Sequence, residues 1–419
     1  MFKGLKHLLM FDLHKIKYIS IFLLFSIYMV VLHIDGQCYD ISTFWKKHPG
    51  GNVICFYDNL DATNAFYTFH AHSKTAKAWL KSLPKKTESL QNKDQEFTPL
   101  LDSWKEKGLY KSNYYEFLLW GTIVTFITYL GLIIQMYQYP ILGGIITGLG
   151  WAQCGFVQHH AGHLGFTGNP NIDHRIQDFF EGFLKGGSAS WWRNRHNKHH
   201  AMPNSIGYDG DLRTTPFFAW DDVLVKKVPT FLLRIQHIMV FPMLILYVPL
   251  FIVTTKQFMI RKRKYGELAL VFAHFYHFFK YCNHINDFIL FYVIGYAIQG
   301  LYLGLMFSIN HMAMPRIENI GDKWFDRQII STCNWDSSNK VSMYLSGFLN
   351  LQIEHHVAPQ MPPEHYRYIR KDIMEFAKKR KLPYYDFTFL QGLCLFVSSL
   401  KDTAKKELAL RASLTRGSS

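Results

Sequence analysis

The sequence predicts a mostly α-helical membrane protein with a small soluble domain near its N-terminus. The first observation behind this fold class is composition, because 49% of the 419 residues are hydrophobic and 16% are aromatic. The second is that several apolar runs beyond residue 113 approach the roughly 20 residues that cross a bilayer as a helix. The third is that residues 33–86 have the composition of an ordinary soluble domain.

The net charge of +15 and the pI of about 9.3 suit either nucleic acid or an anionic membrane surface as a partner. No recognisable nucleic-acid-binding module accompanies the basic residues. The apolar runs therefore favour the lipid bilayer, and we expect no nucleic-acid partner. The six cysteines lie far apart without a CxxC pair, which is typical of reduced thiols rather than of a disulfide framework or a zinc cage.

The composition divides the chain into five segments. In the first, the apolar run 18–32 is short for a span and no signal-peptide cleavage site follows it, so its role stays open. The charged stretch "KKTESLQNKDQEF" predicts a linker. The segments are an N-terminal apolar segment 1–32, a soluble domain 33–86, a linker 87–112, a membrane domain 113–395 and a C-terminal tail 396–419.

Three histidine clusters lie beside the apolar runs, in "QHHAGH", "RHNKHH" and "QIEHH". Spacings of three and four residues place imidazoles on one face of a helix. Imidazole suits iron, zinc, copper and nickel, and the clusters exceed the four ligands of a usual zinc site, which favours two metal ions. Carboxylates are too few for a glutamate-rich di-iron bundle. The predicted ligands are His159, His163, His196, His199, His200, His355 and His356.

The clusters can form one site only if they lie on the same side of the membrane. No apolar run separates the first two clusters, but three runs lie between the second and the third, so an odd number of crossings would divide them. We therefore expect one run not to cross. Four spans remain, and they also bring His311, directly after the last span, to the level of the clusters as a further predicted ligand. The predicted spans are 117–137, 141–157, 267–282 and 288–309.

The run that we expect not to cross is 239–255. The basic segment 256–264 follows it, and basic loops favour the cytoplasmic side of a membrane. Pro242 and Pro249 also disfavour an uninterrupted helix in this run. The sequence therefore predicts that 239–255 enters or lies on the membrane, while the next two runs form a hairpin.

With these motifs, the chain resembles the membrane fatty-acyl desaturases, in particular the front-end type fused to a cytochrome b5 domain. The resemblance covers residues 33–395 and rests on "HHAGH", "HNKHH" and the glutamine-led "QIEHH". It extends to the pair Trp191 and Trp192, to "DGD" after the second box, to "NH" after the last span and to "MPP" after the third box. It implies a di-iron centre that activates dioxygen. Two hydrogens would be removed from an acyl chain between an existing double bond and the carboxyl end, as in delta-5 and delta-6 desaturation.

Several residues near the boxes have roles that the resemblance leaves open. Gln352 offers an amide that can ligate a metal weakly or hold a metal-bound water. Glu354 is expected to face away from the histidines, as a surface charge or an outer partner. Asp209 and Asp211 can orient ligating histidines or belong to a solvated loop. His160 stands where the family usually has an acidic residue, so it cannot supply that negative charge.

The N-terminal domain resembles the haem-binding core of cytochrome b5 in "HIDGQCYDISTFWKKHPGG" and "DATNAFYTFH". The resemblance implies haem b held by two histidines, which leaves no open position on the iron and suits electron transfer. His48 is the first implied ligand. The turn of Pro49, Gly50 and Gly51 would let the backbone approach the haem.

The second haem ligand has two candidates, His70 and His72. Family spacing from Asp61 implies His70, although the preceding loop is one residue shorter than usual. Phe66 and Phe69 place an apolar helix face beside His70, whereas His72 lies about 200° around the helix. We therefore expect His70 to bind the haem.

No GxGxxG motif opens a helix after a strand, so a separate cytochrome b5 reductase is the expected electron donor. The implied substrate is a fatty acyl chain carried by coenzyme A or by a phospholipid. The implied location is the endoplasmic reticulum membrane, with the boxes and the haem domain facing the cytoplasm. Alternatives are a sphingolipid delta-8 desaturase or a lipid hydroxylase. A histidine-based transporter would place its histidines at the bilayer midplane, whereas these clusters lie at span ends.

Overall fold

The computed structural model describes residues 29–89, 96–318 and 323–416. The predicted segment 1–32 lies outside the described residues except for 29–32. The described residues form two compact units. One contains residues 29–66 and 73–89, and the other contains residues 67–72 and the described residues from 96 onward.

The first unit contains a three-stranded antiparallel sheet in the order β1-β2-β3. Asp35 and Gly36 both have positive φ, as a two-residue Asp-Gly hairpin requires, and they join the first two strands. Strand β3 includes residues 87–89, so the predicted linker begins inside the sheet rather than after it. In chain order the elements are β1 (Val31–Ile34), β2 (Gln37–Asp40), α1 (Thr63–Phe69), α2 (Lys74–Ser82) and β3 (Lys85–Ser89). The last residues of α1 group with the second unit.

The second unit is almost entirely helical. It also contains a seven-residue π-helix, Asp178–Leu184, and a short parallel pair, β4 (Asn334–Trp335) with β5 (Asp386–Phe387). In chain order the helices are α3 (Thr98–Glu106), α4 (Tyr114–Met136), α5 (Pro140–Gly162), α6 (Pro170–Gln177), α7 (Ala189–Ala201), α8 (Thr230–Arg261), α9 (Tyr265–Phe279), α10 (Ile285–His311), α11 (Trp324–Ile330), α12 (Lys340–Leu345), α13 (Gln352–Val357), α14 (Tyr366–Lys379) and α15 (Phe389–Arg416).

Four helices in the described ranges, α4, α5, α8 and α10, are long and apolar enough to cross a bilayer. The predicted fold class, a mostly α-helical protein with four candidate spans and a small N-terminal sheet, is therefore confirmed. One of the four candidate spans differs from the four spans predicted from the sequence. The run 267–282 forms the 15-residue helix α9, which is only about 22 Å long. The run 239–255 lies inside α8 instead.

The prediction that Pro242 and Pro249 interrupt the helix at 239–255 is wrong, because α8 is continuous through both prolines. Apolar helices tolerate proline when neighbouring helices pack around the freed backbone groups. Here α10 comes close enough that a Cβ atom on Gly300 would lie 2.5 Å from the carbonyl oxygen of Leu244. That the run does not cross the membrane stays a prediction.

Helix α5 contacts its neighbours through small residues, and this close packing fixes the first histidine cluster. A Cβ atom on Gly150 would lie 2.4 Å from the hydroxyl oxygen of Thr128 in α4. On another side of α5, a Cβ on Gly148 would lie 2.6 Å from the carbonyl oxygen of Gly295 in α10. Backbones approach this closely only where side chains are small. The C-terminal turn of α5 is therefore held firmly between α4 and α10.

Two predicted connecting segments are packed parts of the fold. Within the predicted linker 87–112, α3 buries Leu101 and Trp104, and the indole N–H of Trp104 donates to the Asp372 carboxylate at 2.8 Å. The predicted tail 396–419 continues α15, and its residues Phe396 and Leu400 are fully buried. Apolar side chains at helical spacing explain both results, because they bury a stripe against the rest of the unit.

Candidate metal centre

Four helix ends or short helices bring the predicted metal ligands together. The first cluster ends α5, the second lies on α7, the third lies on α13, and His311 is the last residue of α10. Ser188 begins α7, because its hydroxyl oxygen accepts a hydrogen bond from the backbone N–H of Trp191 at 3.2 Å. The cap sets the start of the helix and, with it, the face on which the second cluster lies.

The eight predicted ligands separate into two groups, and within each group one nitrogen per ring lies within 4.8 Å of all the others. We call these the five-histidine group and the three-histidine group. The five-histidine group consists of His159, His163, His196, His200 and His355. The three-histidine group consists of His199, His311 and His356.

The nitrogens of the five-histidine group are closer than hydrogen bonding among neutral rings alone explains. His196 Nε2 lies 2.8 Å from His159 Nε2 and 3.0 Å from His200 Nε2, which in turn lies 3.1 Å from His355 Nε2. Each N–H donates one hydrogen, so at most two of these three contacts can be hydrogen bonds. A cation that accepts a lone pair from every ring resolves the conflict. The residues present therefore fit a metal ion.

Outside the candidate spans, the rings of His200 and His355 are fully buried and held in their neutral forms. Burial, together with the nearby charges of His356 and His163, holds the pKa of His200 well below its usual value. Burial and the same kind of repulsion lower the pKa of His355. His199 differs, because Asp209 raises its pKa although burial opposes this. A neutral imidazole offers the lone pair that a metal requires.

In the three-histidine group, every Nδ1 atom contacts an oxygen, so every Nε2 atom is left for a metal. His199 Nδ1 lies 2.9 Å from a carboxylate oxygen of Asp209. His311 Nδ1 lies 3.1 Å from the carbonyl oxygen of Ser331. His356 Nδ1 lies 3.0 Å from the amide oxygen of Gln328. Such contacts fix the tautomer and the orientation of a ligating ring.

The five-histidine group has fewer such contacts. His355 Nδ1 lies 3.0 Å from the hydroxyl oxygen of Tyr366, whereas the Nδ1 atoms of His159 and His200 are buried without a hydrogen-bond partner in the described part of the chain. The Trp192 ring packs against His196 with centroids 4.2 Å apart. Ring packing therefore contributes more than hydrogen bonding to the orientation of this group.

Gln352, the residue that begins the third box, reaches the three-histidine group. Its amide nitrogen lies 2.9 Å from His311 Nε2, and its amide oxygen accepts a hydrogen bond from the Asn310 side chain at 3.1 Å. Asn310 also donates to the carbonyl oxygen of Leu349 at 2.8 Å. The "NH" motif and the third box are thus joined through the Gln352 side chain.

Glu354 is fully buried and is not a surface charge. One of its carboxylate oxygens accepts a hydrogen bond from the Asn334 amide at 2.8 Å, and the other accepts one from the Tyr384 hydroxyl. The Asn334 amide oxygen also accepts from the backbone N–H of Ile353 at 2.9 Å. These contacts fasten the six-residue helix α13, which carries two of the predicted ligands.

Two other residues that the sequence singled out lie near the centre. His160 is fully buried, and its Nε2 atom lies 2.8 Å from the carbonyl oxygen of Gly347, so this ring is held by the main chain. Asp211 binds Arg195 at 2.5 Å and approaches His199 Nδ1 only to 3.6 Å. Of the two aspartates, Asp209 is therefore the partner of His199.

The residues expected to bind haem are placed as follows. His48 precedes the turn, and its Nδ1 atom lies 3.3 Å from the carbonyl oxygen of Gly51. A Cβ atom on Gly50 would lie 2.9 Å from the His48 ring, so any larger residue would require this ring to shift. His70 follows α1, in the second unit. His72 Nε2 lies 3.2 Å from the carbonyl oxygen of Gln360, within the same unit.

Comparisons with known proteins identify the families to which the two parts of the chain are similar. The model of the fatty acid desaturase family matches residues 137–388, more than half of the chain. The chain belongs to this family. The cytochrome b5-like haem and steroid binding domain matches residues 29–90.

Two relatives cover nearly the whole desaturase. An acyl-lipid (8-3)-desaturase of Thraustochytrium sp is 28% identical over 400 residues, which are 88% of this chain and 90% of that protein. An acyl-lipid (8-3)-desaturase of Rebecca salina is 30% identical over 374 residues, which are 84% of this chain and 86% of that protein. This desaturase is thus an oxygen-dependent oxidoreductase of the front-end architecture and an integral membrane protein. Its cytochrome b5 domain implies haem, and its family implies iron.

Sequence reasoning missed the residues that position the histidines, either by direct contact or through Glu354. Gln328, Ser331, Tyr366, Asn334 and Tyr384 are of residue types that occur throughout the chain, and no local spacing ties them to a histidine box. The signal that was available is the "DGD" motif, from which Asp209 was anticipated. The remaining partners become recognisable only when distant segments pack together.

Proposed function

We propose that this desaturase inserts a cis double bond between an existing double bond and the carboxyl end of an acyl chain, as delta-5 and delta-6 enzymes do. The observation that carries the proposal is the pair of adjacent buried histidine groups, of five and three imidazoles, at the ends of apolar helices. A site of this composition suits two iron ions that differ in the number of their ligands.

The eight histidines of the two groups would hold the irons. When bound, the irons supply the activation of dioxygen that removes two hydrogens from the acyl chain. The protein contributes imidazoles of fixed orientation and a closed environment, because seven of the eight rings are less than 9% exposed and only His196 is half-buried. Exclusion of water protects a reactive site from side reactions.

Gln352 completes the three-histidine group. Its amide lies beside His311 Nε2, so it can bind the second iron weakly or hold a water bound to that iron. In the second box a histidine stands at the corresponding position. The weaker amide would keep one position accessible to dioxygen.

Electrons would enter through haem b, held by His48 and His70. The choice of His70 is supported by the contact of His72 Nε2 with the Gln360 carbonyl group, which uses the nitrogen that a haem iron would need. A bis-histidine haem has no free position for chemistry. A cytochrome b5 reductase is the proposed donor.

The proposed location is the endoplasmic reticulum membrane, with both sites facing the cytoplasm. Helices on either side of the basic segment 256–264 contact the beginning of α7. Phe251 packs on Trp191 with ring centroids 4.8 Å apart, and Ser188 donates to the Glu267 carboxylate. These contacts support a position for 256–264 on the same side as the second histidine cluster, as the positive-inside tendency requires.

The proposed substrate is an acyl chain of a membrane lipid rather than of coenzyme A, because both relatives are named acyl-lipid desaturases. The same site chemistry suits a sphingolipid delta-8 desaturase or a lipid hydroxylase. Both remain alternatives that product analysis separates.

Expression in a host without polyunsaturated lipids, fed single fatty acids, tests the proposal. We expect a new double bond on the carboxyl side of an existing one, appearing in phospholipid before coenzyme A esters. Mass spectrometry of the products locates the bond. A bond on the methyl side, a hydroxylated product or desaturated long-chain bases would overturn it. Replacing His284, an exposed residue at the start of α10, by alanine is the matched control for changes in the boxes.

A further inference from the structure

We propose that Asp209 is a positioning residue that makes the two metal positions unequal, by holding His199 and placing a negative charge behind the three-histidine group only. The inference rests on the proposed function, because it takes both histidine groups to bind iron. It adds a difference in charge between the two metal positions to the orienting role that the sequence left open for Asp209.

The Asp209 carboxylate is buried, with 2% of its surface exposed, and all its described contacts are with donors. One oxygen accepts from His199 Nδ1 at 2.9 Å and from the backbone N–H of Asn204 at 2.9 Å. The other accepts from the backbone N–H of Asp211 at 2.8 Å. Three converging donors fit a carboxylate, and two of them come from the main chain. The carboxylate is therefore fixed before any metal binds.

Asp209 differs in charge from the groups that contact the Nδ1 atoms of the other histidines. Ser331 presents a main-chain carbonyl, Gln328 a side-chain amide and Tyr366 a hydroxyl, all of which are neutral. In the described ranges, no other carboxylate oxygen is hydrogen-bonded to a ring of either group, since Asp211 stays 3.6 Å from His199. The five-histidine group therefore has more ligands and no bonded carboxylate, and the three-histidine group has fewer ligands and one.

A carboxylate that accepts the second N–H of a ligating histidine makes the ring a stronger donor to the metal. Loss of such a partner typically weakens metal binding by about 10-fold to 100-fold. The effect should fall on the iron of the three-histidine group, because it has the fewest protein ligands to compensate. The iron of the five-histidine group should be unaffected.

The test is to load the purified full-length protein with ⁵⁷Fe and to compare wild type with Asp209→Asn. An asparagine oxygen can still accept from His199 and from the Asn204 N–H, whereas the NH2 group cannot accept from the Asp211 N–H, so this variant removes the charge and one backbone hydrogen bond. We expect Mössbauer spectra to show two iron components in the wild type, and one of them to weaken or disappear in Asp209→Asn. Chelator competition should show about 10-fold to 100-fold weaker retention of that iron alone. The haem spectrum should be unchanged.

Asp221→Asn is the matched control. Asp221 is a buried carboxylate that also accepts backbone N–H groups, from Val223 at 3.0 Å and Leu224 at 2.6 Å, but it contacts no histidine of either group. It should keep both iron components. Asp209→Glu restores the charge and should retain more of the second iron than Asp209→Asn does.

The outcomes separate the inference from the proposed function. A wild type without iron would refute the metal centre itself. Two unchanged iron components in Asp209→Asn, or equal loss of both, would overturn the role of Asp209. If Asp209→Asn fails to fold, Asp209→Glu tests the proposal instead. This variant keeps the negative charge, so a folded Asp209→Glu protein that lacks the iron of the three-histidine group would contradict the proposal.

Discussion

The haem-binding region and the metal centre both depend on histidine, but they are built from opposite kinds of sequence information. His48 belongs to a short stretch in which its own turn positions it, and the ring lies so close to Gly50 that a Cβ atom there would displace it. The eight histidines of the metal centre come from α5, α7, α10 and α13, and residues as far apart as His159 and His355 share one group. The comparison teaches that a local motif identifies a ligand, whereas a distributed site also needs partners that position each ring.

The largest expected effect is in the metal centre. Replacing any of its seven box histidines by alanine should abolish desaturation, because each ring supplies a ligand that no neighbour replaces. His196→Ala and His356→Ala test one member of each group. The amount of desaturated product and the iron content should both fall in these variants, while their haem spectra stay normal. The His284→Ala control should keep all three properties. Near-normal turnover in either variant would contradict a shared centre.

The next largest effect is expected from loss of a haem ligand, which should affect the haem-binding region and leave the metal centre intact. His70→Ala should lose the bis-histidine haem absorbance and all reductase-dependent activity while keeping its irons. His72→Ala should keep the haem, since its ring is engaged by the Gln360 carbonyl instead. Absorbance spectra and iron analysis of the two purified variants give the answer. Loss of the haem absorbance in His72→Ala but not in His70→Ala would show that His72 is the second haem ligand.

A smaller effect is expected at Glu354, which acts on the histidines through α13. Glu354→Ala leaves the Asn334 and Tyr384 partners unsatisfied, and an unmade buried hydrogen bond costs about 1–3 kcal/mol. We expect lower thermal stability and partial loss of iron. Glu354→Gln keeps an acceptor for one of the two donors and should recover part of both properties. Equal behaviour of the two variants would mean that the hydrogen bonds are not the cause.

The smallest effect on activity is expected from a tag inserted in 256–264 at residues 262–264, which connect α8 to α9, because the contacts with the beginning of α7 come from Phe251 and Glu267. The tag should be reached from the cytoplasm in cells whose internal membranes are intact. A tag placed after residue 416, at the C-terminal end of the chain, serves as the accessibility control. Protection of the inserted tag would show that α8 crosses the bilayer, and the proposed set of four spans would be wrong.

Much of the site was predictable because helical spacing is local. His159 and His163, or His196 and His200, lie four residues apart, so their shared face follows from the geometry of one helix. Glu354 shows where this reasoning ends. Its position in α13 predicted a side chain that faces away from the histidines, as a surface charge or as an outer partner, and only the packing of Asn334 and Tyr384 on that side shows that it is buried.

The sequence by itself determined the apolar helices, the three boxes and the haem motif, because hydrophobic length and helical periodicity are properties of short segments. The tertiary structure alone decided that the histidines separate into groups of five and three, and that, among the described residues, a carboxylate is hydrogen-bonded to the ring of His199 and to no other ring of these groups. It also decided that α8 continues through two prolines. These features depend on contacts between segments tens to hundreds of residues apart, and such contacts are set by packing rather than by local pattern.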